Sequence, residues 1–328
     1  MRLLTLSLLA AAAAVGATSA VYSYSSGALP GDNQGSGNVP ADVTRQAPAC
    51  GQCHRAFPGG LNLKVSLTPT KRVLDLGEAI QATTQAAGGP AGTRGGFVVE
   101  ASAGTLSPGS NARASANGRF LTHNTALSNR TWTYGYTAPA APGLVELYTV
   151  VNAVDGSGTT LGDYWAFHGF NAASAFCTPV RLYVNAVGVA AAGAACVGSW
   201  GQYPVFGSKA TPTVGNAAFA FELFGAAPTA PFVMLLNAKT AFAGLDLGLI
   251  GITGCTLLVD PTNSLALPGT TSNGDLFRAE GAATIPLPLP NDPNLRGAKL
   301  MFQVAILDTN NGRPTPITMT NGLEVTIQ

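Results

Sequence analysis

Thr131–Thr137 reads TWTYGYT, Ala138–Gly143 reads APAAPG, and Leu144–Asn152 reads LVELYTVVN. The outer two stretches concentrate β-branched and aromatic side chains, which fit a pleated, half-buried surface. The Pro/Gly-rich stretch between them reads as a turn. Moving towards the N-terminus, Arg119–His123, Gly96–Ala101 and Ala79–Ala86 are short strand candidates, and Leu61–Leu67 (LNLKVSL) alternates as a first strand. Moving towards the C-terminus, the loop Asp155–Gly162 leads to a strand at Tyr164–Phe170. Strands at this spacing, with no helical period between them, predict two packed sheets.

The pattern breaks around Asn171–Thr178, and a second β region follows. Its candidates are Arg181–Asn185, Ala217–Leu223, Phe232–Asn237, Thr256–Val259, Ala283–Leu287, Leu300–Leu307 and Leu323–Gln328. The prolines of Ile285–Pro293 (IPLPLPNDP) demote neighbouring strands to sheet edges. No fixed-period repeat runs through the chain. The expectation is an all-β protein with two β-sandwich domains in tandem, at 49–172 and 173–328.

Composition agrees with that class. The 328 residues include 40 Gly and 22 Pro, which turn the chain often and leave few long helices. Only 10% of residues are charged, against about 25% in ordinary soluble proteins, and 46% are hydrophobic. A net charge of +1 provides no basic field for a nucleic-acid backbone, and disorder of the charged kind is excluded.

The first twenty residues carry Arg2, an apolar run over Leu3–Val15, and small residues at Ala17, Ser19 and Ala20. They read as a secretory signal peptide, 1–20, with an uncleaved anchor as the lesser reading. Residues 21–48 are rich in Gly, Ser, Asn and Pro and read as a flexible arm. No later stretch has the length and apolarity of a membrane helix, because glycines and prolines interrupt Leu223–Leu236 and Ala241–Ile252. The expected location is periplasm, cell surface or extracellular, where disulfides persist. The five cysteines, Cys50, Cys53, Cys177, Cys196 and Cys255, are an odd number, so at least one has another role.

Cys50-Gly51-Gln52-Cys53-His54 is a C-x-x-C-H sequence, the haem-attachment signature of c-type cytochromes. Two thiols three positions apart suit the two vinyl groups on one porphyrin edge, and the adjacent imidazole then reaches the iron as proximal ligand. Competing readings are a redox-active Cys50–Cys53 disulfide, zinc, and coincidence. With haem c in place, the distal ligand would come from His123, the weaker candidate His168, or the methionines Met234, Met301 and Met319. Asp155-Gly-Ser-Gly-Thr159 followed by Asp163 suggests a calcium loop or a plain hairpin turn. Asn129-Arg130-Thr131 matches a glycosylation sequon. No hydrolase, P-loop or dinucleotide signature occurs, so an enzyme is the poorer reading.

Roughly the first 170 residues resemble a secreted bacterial domain of the choice-of-anchor V type, distantly Reeler-like. The matching pieces, in order, are the Gly/Pro-rich lead, Cys50-x-x-Cys53-His54, Gly96-Phe97, Gly104-Thr105-Leu106, His123-Asn124-Thr125, Trp132-Thr133-Tyr134 and Thr137–Ala140. A last run extends from Leu147-Tyr148 through Asn152-Ala153 to Gly162-Asp163. Asn124 departs from the direct His-Thr of that pattern. From Cys196 to Gln328 the chain resembles a planctomycete-type C-terminal β module, through Gly215-Asn216, Ala226-Ala227-Pro228, Leu245-Asp246-Leu247, Gly254-Cys255 and Pro290-Asn291-Asp292-Pro293. This second resemblance implies surface display or anchoring and a Cys196–Cys255 disulfide, with Cys177–Cys196 as the competing pair.

The expected function is that of an exported monohaem cytochrome-like protein, transferring electrons at the cell surface or in the periplasm to a redox partner or another surface component. The alternative is a non-enzymatic structural or adhesive surface module with a Cys50–Cys53 disulfide and no haem.

Overall fold

The computed structural model describes residues 27–30, 41–46, 49–52, 54, 59–60, 62–125, 129–169, 176–238, 241–274 and 280–328. The expected signal peptide lies outside the described residues, as does Cys53. The described chain is all-β, made of strands and short 3-10 turns.

The first eleven strands are β1 (Lys64–Pro69), β2 (Val73–Leu74), β3 (Ala79–Ala87), β4 (Gly95–Ala101), β5 (Thr105–Ser107), β6 (Ala112–Ala114), β7 (Phe120–His123), β8 (Thr131–Thr137), β9 (Gly143–Ala153), β10 (Tyr164–Phe167) and β11 (Val180–Val184). They form two sheets, one ordered β1-β3-β8-β5 and the other β2-β11-β9-β4-β7-β6, with β10 also on β9. Period-2 alternation sends Val65 and Leu67, Ile80 and Ala82, and Trp132, Tyr134 and Tyr136 inward from the first sheet. They meet Phe97, Val99, Leu147, Val151 and Leu182 of the second. Phe97 stacks on Trp132 with centroids 4.7 Å apart and on Tyr134 at 5.8 Å, contacts of about 0.5–1.5 kcal/mol each beyond area burial.

β11 corrects the expected boundary between residues 172 and 173. The strand expected at Arg181–Asn185 to open the second domain is instead a member of the first sandwich. β9 is eleven residues long, and β10 covers only Val150–Ala153 along one edge. β11 completes that edge, pairing Val180–Val184 with Leu147–Gly143. The break near 171–178 is therefore a loop that returns the chain to the same sheet.

The arm also departs from expectation in its described parts. The outer face of the second sheet carries Val98, Tyr148, Val150, Trp165 and Phe167, an apolar surface that needs cover. Val43, Ala49 and Cys177 bury against it, and Ala28 and Cys50 pack at its margin. Glu100, on the same face, accepts from Thr44 Oγ1 at 2.6 Å, Arg45 Nε at 3.0 Å and Arg119 Nη2 at 3.3 Å. The described arm residues are thus part of the sandwich.

The second sandwich comprises β12 (Val189–Ala192), β13 (Val205–Gly207), β14 (Ala220–Ala226), β15 (Pro231–Asn237), β16 (Leu245–Asp246), β17 (Thr256–Leu257), β18 (Leu265–Thr270), β19 (Gly281–Pro286), β20 (Lys299–Leu307), β21 (Ile317–Met319) and β22 (Gly322–Thr326). One sheet runs β12-β22-β20-β15-β18, with β21 also on β20, and a three-stranded sheet runs β13-β14-β19. Phe206, Phe221, Met234, Phe302 and Val304 lie between them. Of the proline-bearing strands, β18 and β19 are edges, where a missing N–H costs no ladder bond, and the central β15 carries Pro231 at its first residue. The β16–β17 hairpin is fastened by Cys196–Cys255, the disulfide implied by the C-terminal resemblance. The two sandwiches share apolar contacts through Val73 and Tyr183, whose hydroxyl donates to Glu222 Oε2 at 2.5 Å.

Candidate functional site

The described residues Ala49, Cys50 and His54 lie against the outer face of the second sheet. A 3-10 turn over Ala49–Gln52 starts the segment, and His54 N donates to Cys50 O at 3.0 Å, which closes one helical turn. This turn delivers the His54 imidazole to β9. Nδ1 lies 3.0 Å from Asp163 Oδ2, and Asn152 Nδ2 sits beside the ring, 3.1 Å from Nε2 and 3.4 Å from Nδ1. Asp163 is itself fixed, since Oδ1 accepts from Asp155 N at 3.1 Å. Burial lowers the His54 pKa below its ordinary 6.5, against the opposing pull of Asp163. Burial likewise raises Asp163 above the usual carboxylate range, while its hydrogen bond from Asp155 N and the nearby imidazole oppose it.

An imidazole that donates Nδ1–H to a carboxylate has the orienting partner usual for a metal-ligating histidine. The other nitrogen decides the fit to haem. Asn152, whose amide lies beside the ring, pairs with Gly96 of β4 on one side and Trp165 of β10 on the other. Nε2 is the nitrogen that would be offered to a haem iron, and Cys53, which would share the attachment with Cys50, lies outside the described residues. The amide makes a one-sided contact, since Asn152 Oδ1 is buried without a hydrogen-bond partner.

His123 ends β7, and its ring lies where a Cβ on Gly96 would project. Gly96 and Asn152 are register partners, so their side-chain positions share a face. The structure thus brings His54 and His123 to the same face, with Gly96 and Asn152 between. His123 Nδ1 accepts from Phe97 N at 3.1 Å, while Thr122 Oγ1 donates to Phe97 O at 2.6 Å. These two side chains extend the ladder beyond the last backbone pair. His123 therefore has a structural task on this face.

His168 is elsewhere. It lines a cavity between the two sandwiches and donates Nδ1–H to Thr178 O at 2.7 Å. Met234, Met301 and Met319 are buried in the second sandwich or beside its disulfide. Cys177 is buried under the arm, with Sγ 3.5 Å from Thr149 O. In the loop weighed for calcium, Asp155 Oδ1 accepts from Ser157 N at 2.8 Å and Asp163 turns to His54, which is the bonding of a closed turn.

Sequence reasoning missed the roles of Asn152, Asp163 and Glu100. Asp163 stood out as part of a calcium pattern and of the N-terminal resemblance, and its pairing with a histidine 109 positions earlier has no local signal. Glu100 is a single acid in an apolar strand, which does signal a buried partner.

No protein-family profile matches the sequence, and no curated protein matches it. Among solved structures the chain is similar to the reelin-N domain of F-spondin, at 17% identity and a TM-score of 0.29, over 39% of this chain and 90% of that one. The human F-spondin reeler domain matches at 19% identity and a TM-score of 0.28, over 37% and 89%. The alpha-2-macroglobulin of E. coli matches at 10% identity and a TM-score of 0.23, over 81% of this chain and 14% of that one. Likeness at this level leaves function to the chain's own residues.

Proposed function

We propose that this protein is an exported, non-enzymatic surface module, and that its C-x-x-C-H segment fastens the arm instead of carrying haem. The observation behind this reading is the pairing of His54 Nδ1 with Asp163, with the Asn152 amide packed beside the same ring. A histidine held this way ties the segment to β9 and to the loop before β10. In this reading Cys50 and Cys53 close the turn as a short-loop disulfide, which an oxidising compartment sustains. The Cys196–Cys255 bridge fits the same compartment. The two sandwiches then serve as display and binding domains, facing a cell-surface component.

The test is an intact mass and absorption spectrum of protein exported from a strain equipped for c-type haem attachment. The expected product is colourless, and its peptide containing Cys50 and Cys53 is two hydrogen atoms lighter than the reduced form. A Soret band with a mass gain of one haem, surviving denaturation and lost in Cys53→Ser, would overturn this reading and restore the cytochrome.

A further inference from the structure

The β16–β17 hairpin turns through Leu247–Ile250, a 3-10 turn whose first side chain, Leu247, buries with Ile252 against the Cys196–Cys255 bridge. With those two facing inward, Leu249 and Ile250 between them face outward, 87% and 63% exposed. Among the described residues they are the only adjacent pair of large apolar side chains so exposed. Single exposed aliphatics are ordinary on a protein surface, but an adjacent pair on a turn, where polar residues usually stand, is not. From Ala241 to Val259 the single charged residue is Asp246.

The backbone of this turn is paired within the protein. Asp246 Oδ1 accepts from Gly248 N at 2.8 Å, and Gly251, at φ 83°, donates to Gly248 O at 3.1 Å. Ile252 N donates to Leu247 O at 3.1 Å. From the loop before β21, Thr315 Oγ1 donates to Ile250 O at 3.0 Å, and Arg313 donates to Thr253 O at 3.1 Å and Val197 O at 2.6 Å. Peptide groups satisfied in this way can approach hydrocarbon, whereas unpaired ones are held in water.

We propose that this turn is a shallow lipid-docking tip, which seats Leu249 and Ile250 at the boundary between headgroups and acyl chains of a bilayer. Two aliphatic side chains offer on the order of 100 Å² of apolar surface each. A stable protein interface takes roughly 800 Å² from each partner, so a second copy gains too little here, while a fluid layer closes around a projecting tip. One cation, Arg313, and one anion, Asp246, flank the turn, so docking needs no anionic lipid. The association is weak and reversible, since even one acyl chain anchors a protein only marginally. Haem at Cys50–His54 would leave the inference untouched.

The test floats the full mature protein with vesicles of phosphatidylcholine, alone or mixed with phosphatidylglycerol, at millimolar lipid. The wild type is expected to float with both. Leu249→Ser/Ile250→Ser should partition about tenfold or more weakly. Leu161→Ser, which removes an 81% exposed leucine from the first sandwich, should partition as the wild type does. Leu249→Trp reports depth, because its added emission should shift to the blue with vesicles and be quenched by bromine on the acyl chains. The proposal fails if the wild type does not float, if the double serine variant floats equally well, or if the Leu249→Trp emission is unmoved by vesicles. Flotation that requires phosphatidylglycerol would assign binding to surface charge and overturn it. So would lipid-free self-association that the double variant abolishes, which would give the tip to a second copy. Should the double variant not fold, wild-type flotation and the Leu249→Trp emission carry the same decision.

Discussion

Single residues show where this fold departs from a plain pair of sheets. His54 and His168 are both held below the ordinary histidine pKa of 6.5 by burial, with Asp163 opposing at the first and the Thr178 carbonyl at the second. In the unfolded chain both titrate near 6.5, so as pH falls through that value the unfolded state takes up protons that the folded state refuses. Stability therefore declines on acidification. Asp163, whose pKa burial raises, acts in the opposite sense further into the acid range. The thermal midpoint should fall between about pH 7.5 and about pH 5.5, and His54→Gln and His168→Gln should each flatten part of that fall. A profile that is flat, or unchanged in both variants, would contradict the burial argument.

Arg130 makes a second prediction at this scale. Its guanidinium donates to Arg94 O at 2.9 Å, Pro90 O at 3.2 Å, Val154 O at 3.3 Å, and also to Gly88 O. One side chain thus satisfies carbonyls from the β3–β4 loop and from the end of β9. Arg130→Met fills similar space but supplies no donors, and should destabilise the protein by about 2–4 kcal/mol in denaturant titrations, from the loss of several charge-assisted bonds. A loss of only a few tenths would mean that water replaces the guanidinium at these carbonyls.

At the scale of elements, legibility followed locality. TWTYGYT carries its own strand signal, and the strand occupies Thr131–Thr137. The prolines of Ile285–Pro293 act through a missing N–H, a local property, and β19 is an edge strand. What depends on a distant partner was not legible. β2 is two residues long and exists because β11 pairs with it in parallel, and β18 (LALPGT) exists because β15 offers it an edge. The assignment of β11 to the first sandwich follows from the length of β9, which no feature of Val180–Val184 announces. The candidate site behaved similarly. The cysteine motif was plain in the sequence, whereas the Asp163 and Asn152 contacts that determine what its histidine does arise from folding.

The β16–β17 hairpin depends most on a covalent tie, since its two strands are two residues each and its small core is Leu247, Ile252 and Met319 around the bridge. Cys196 and Cys255 are 59 positions apart, so opening the bridge releases a long loop in the unfolded chain. The double variant Cys196→Ser/Cys255→Ser should lose about 2–4 kcal/mol. Hydrogen exchange should rise first over Leu245–Leu257, because no wide sheet holds that segment. An equal rise across the first sandwich would show that the two sandwiches unfold as one unit.

For the molecule as a whole, the arm decides what surface the protein presents. A sheet with one apolar face packed in a sandwich core ordinarily turns a polar face outward. Here the outer face of the second sheet is apolar at Val98, Val150, Trp165 and Phe167, and carries the buried acid Glu100 among them. The arm covers the apolar residues with Val43 and Ala49 and neutralises the acid through Arg45, whose Nη2 lies 2.5 Å from Glu100 Oε1. Removing residues 21–54 takes away both functions at once. The exposed patch then exceeds what a monomer ordinarily tolerates, and Glu100 retains only Arg119 as a partner. The truncated protein should self-associate, bind an apolar dye, and show red-shifted tryptophan emission from Trp165, with the Cys196–Cys255 bridge intact. Arg45→Ala separates the two contributions, because it leaves the apolar cover in place. It should lower the thermal midpoint without inducing dye binding. A truncated protein that stays monomeric, dark to the dye and unchanged in emission would mean that the arm's contacts leave the sheet's state unaltered, and the fastening role assigned to His54 would fall with them.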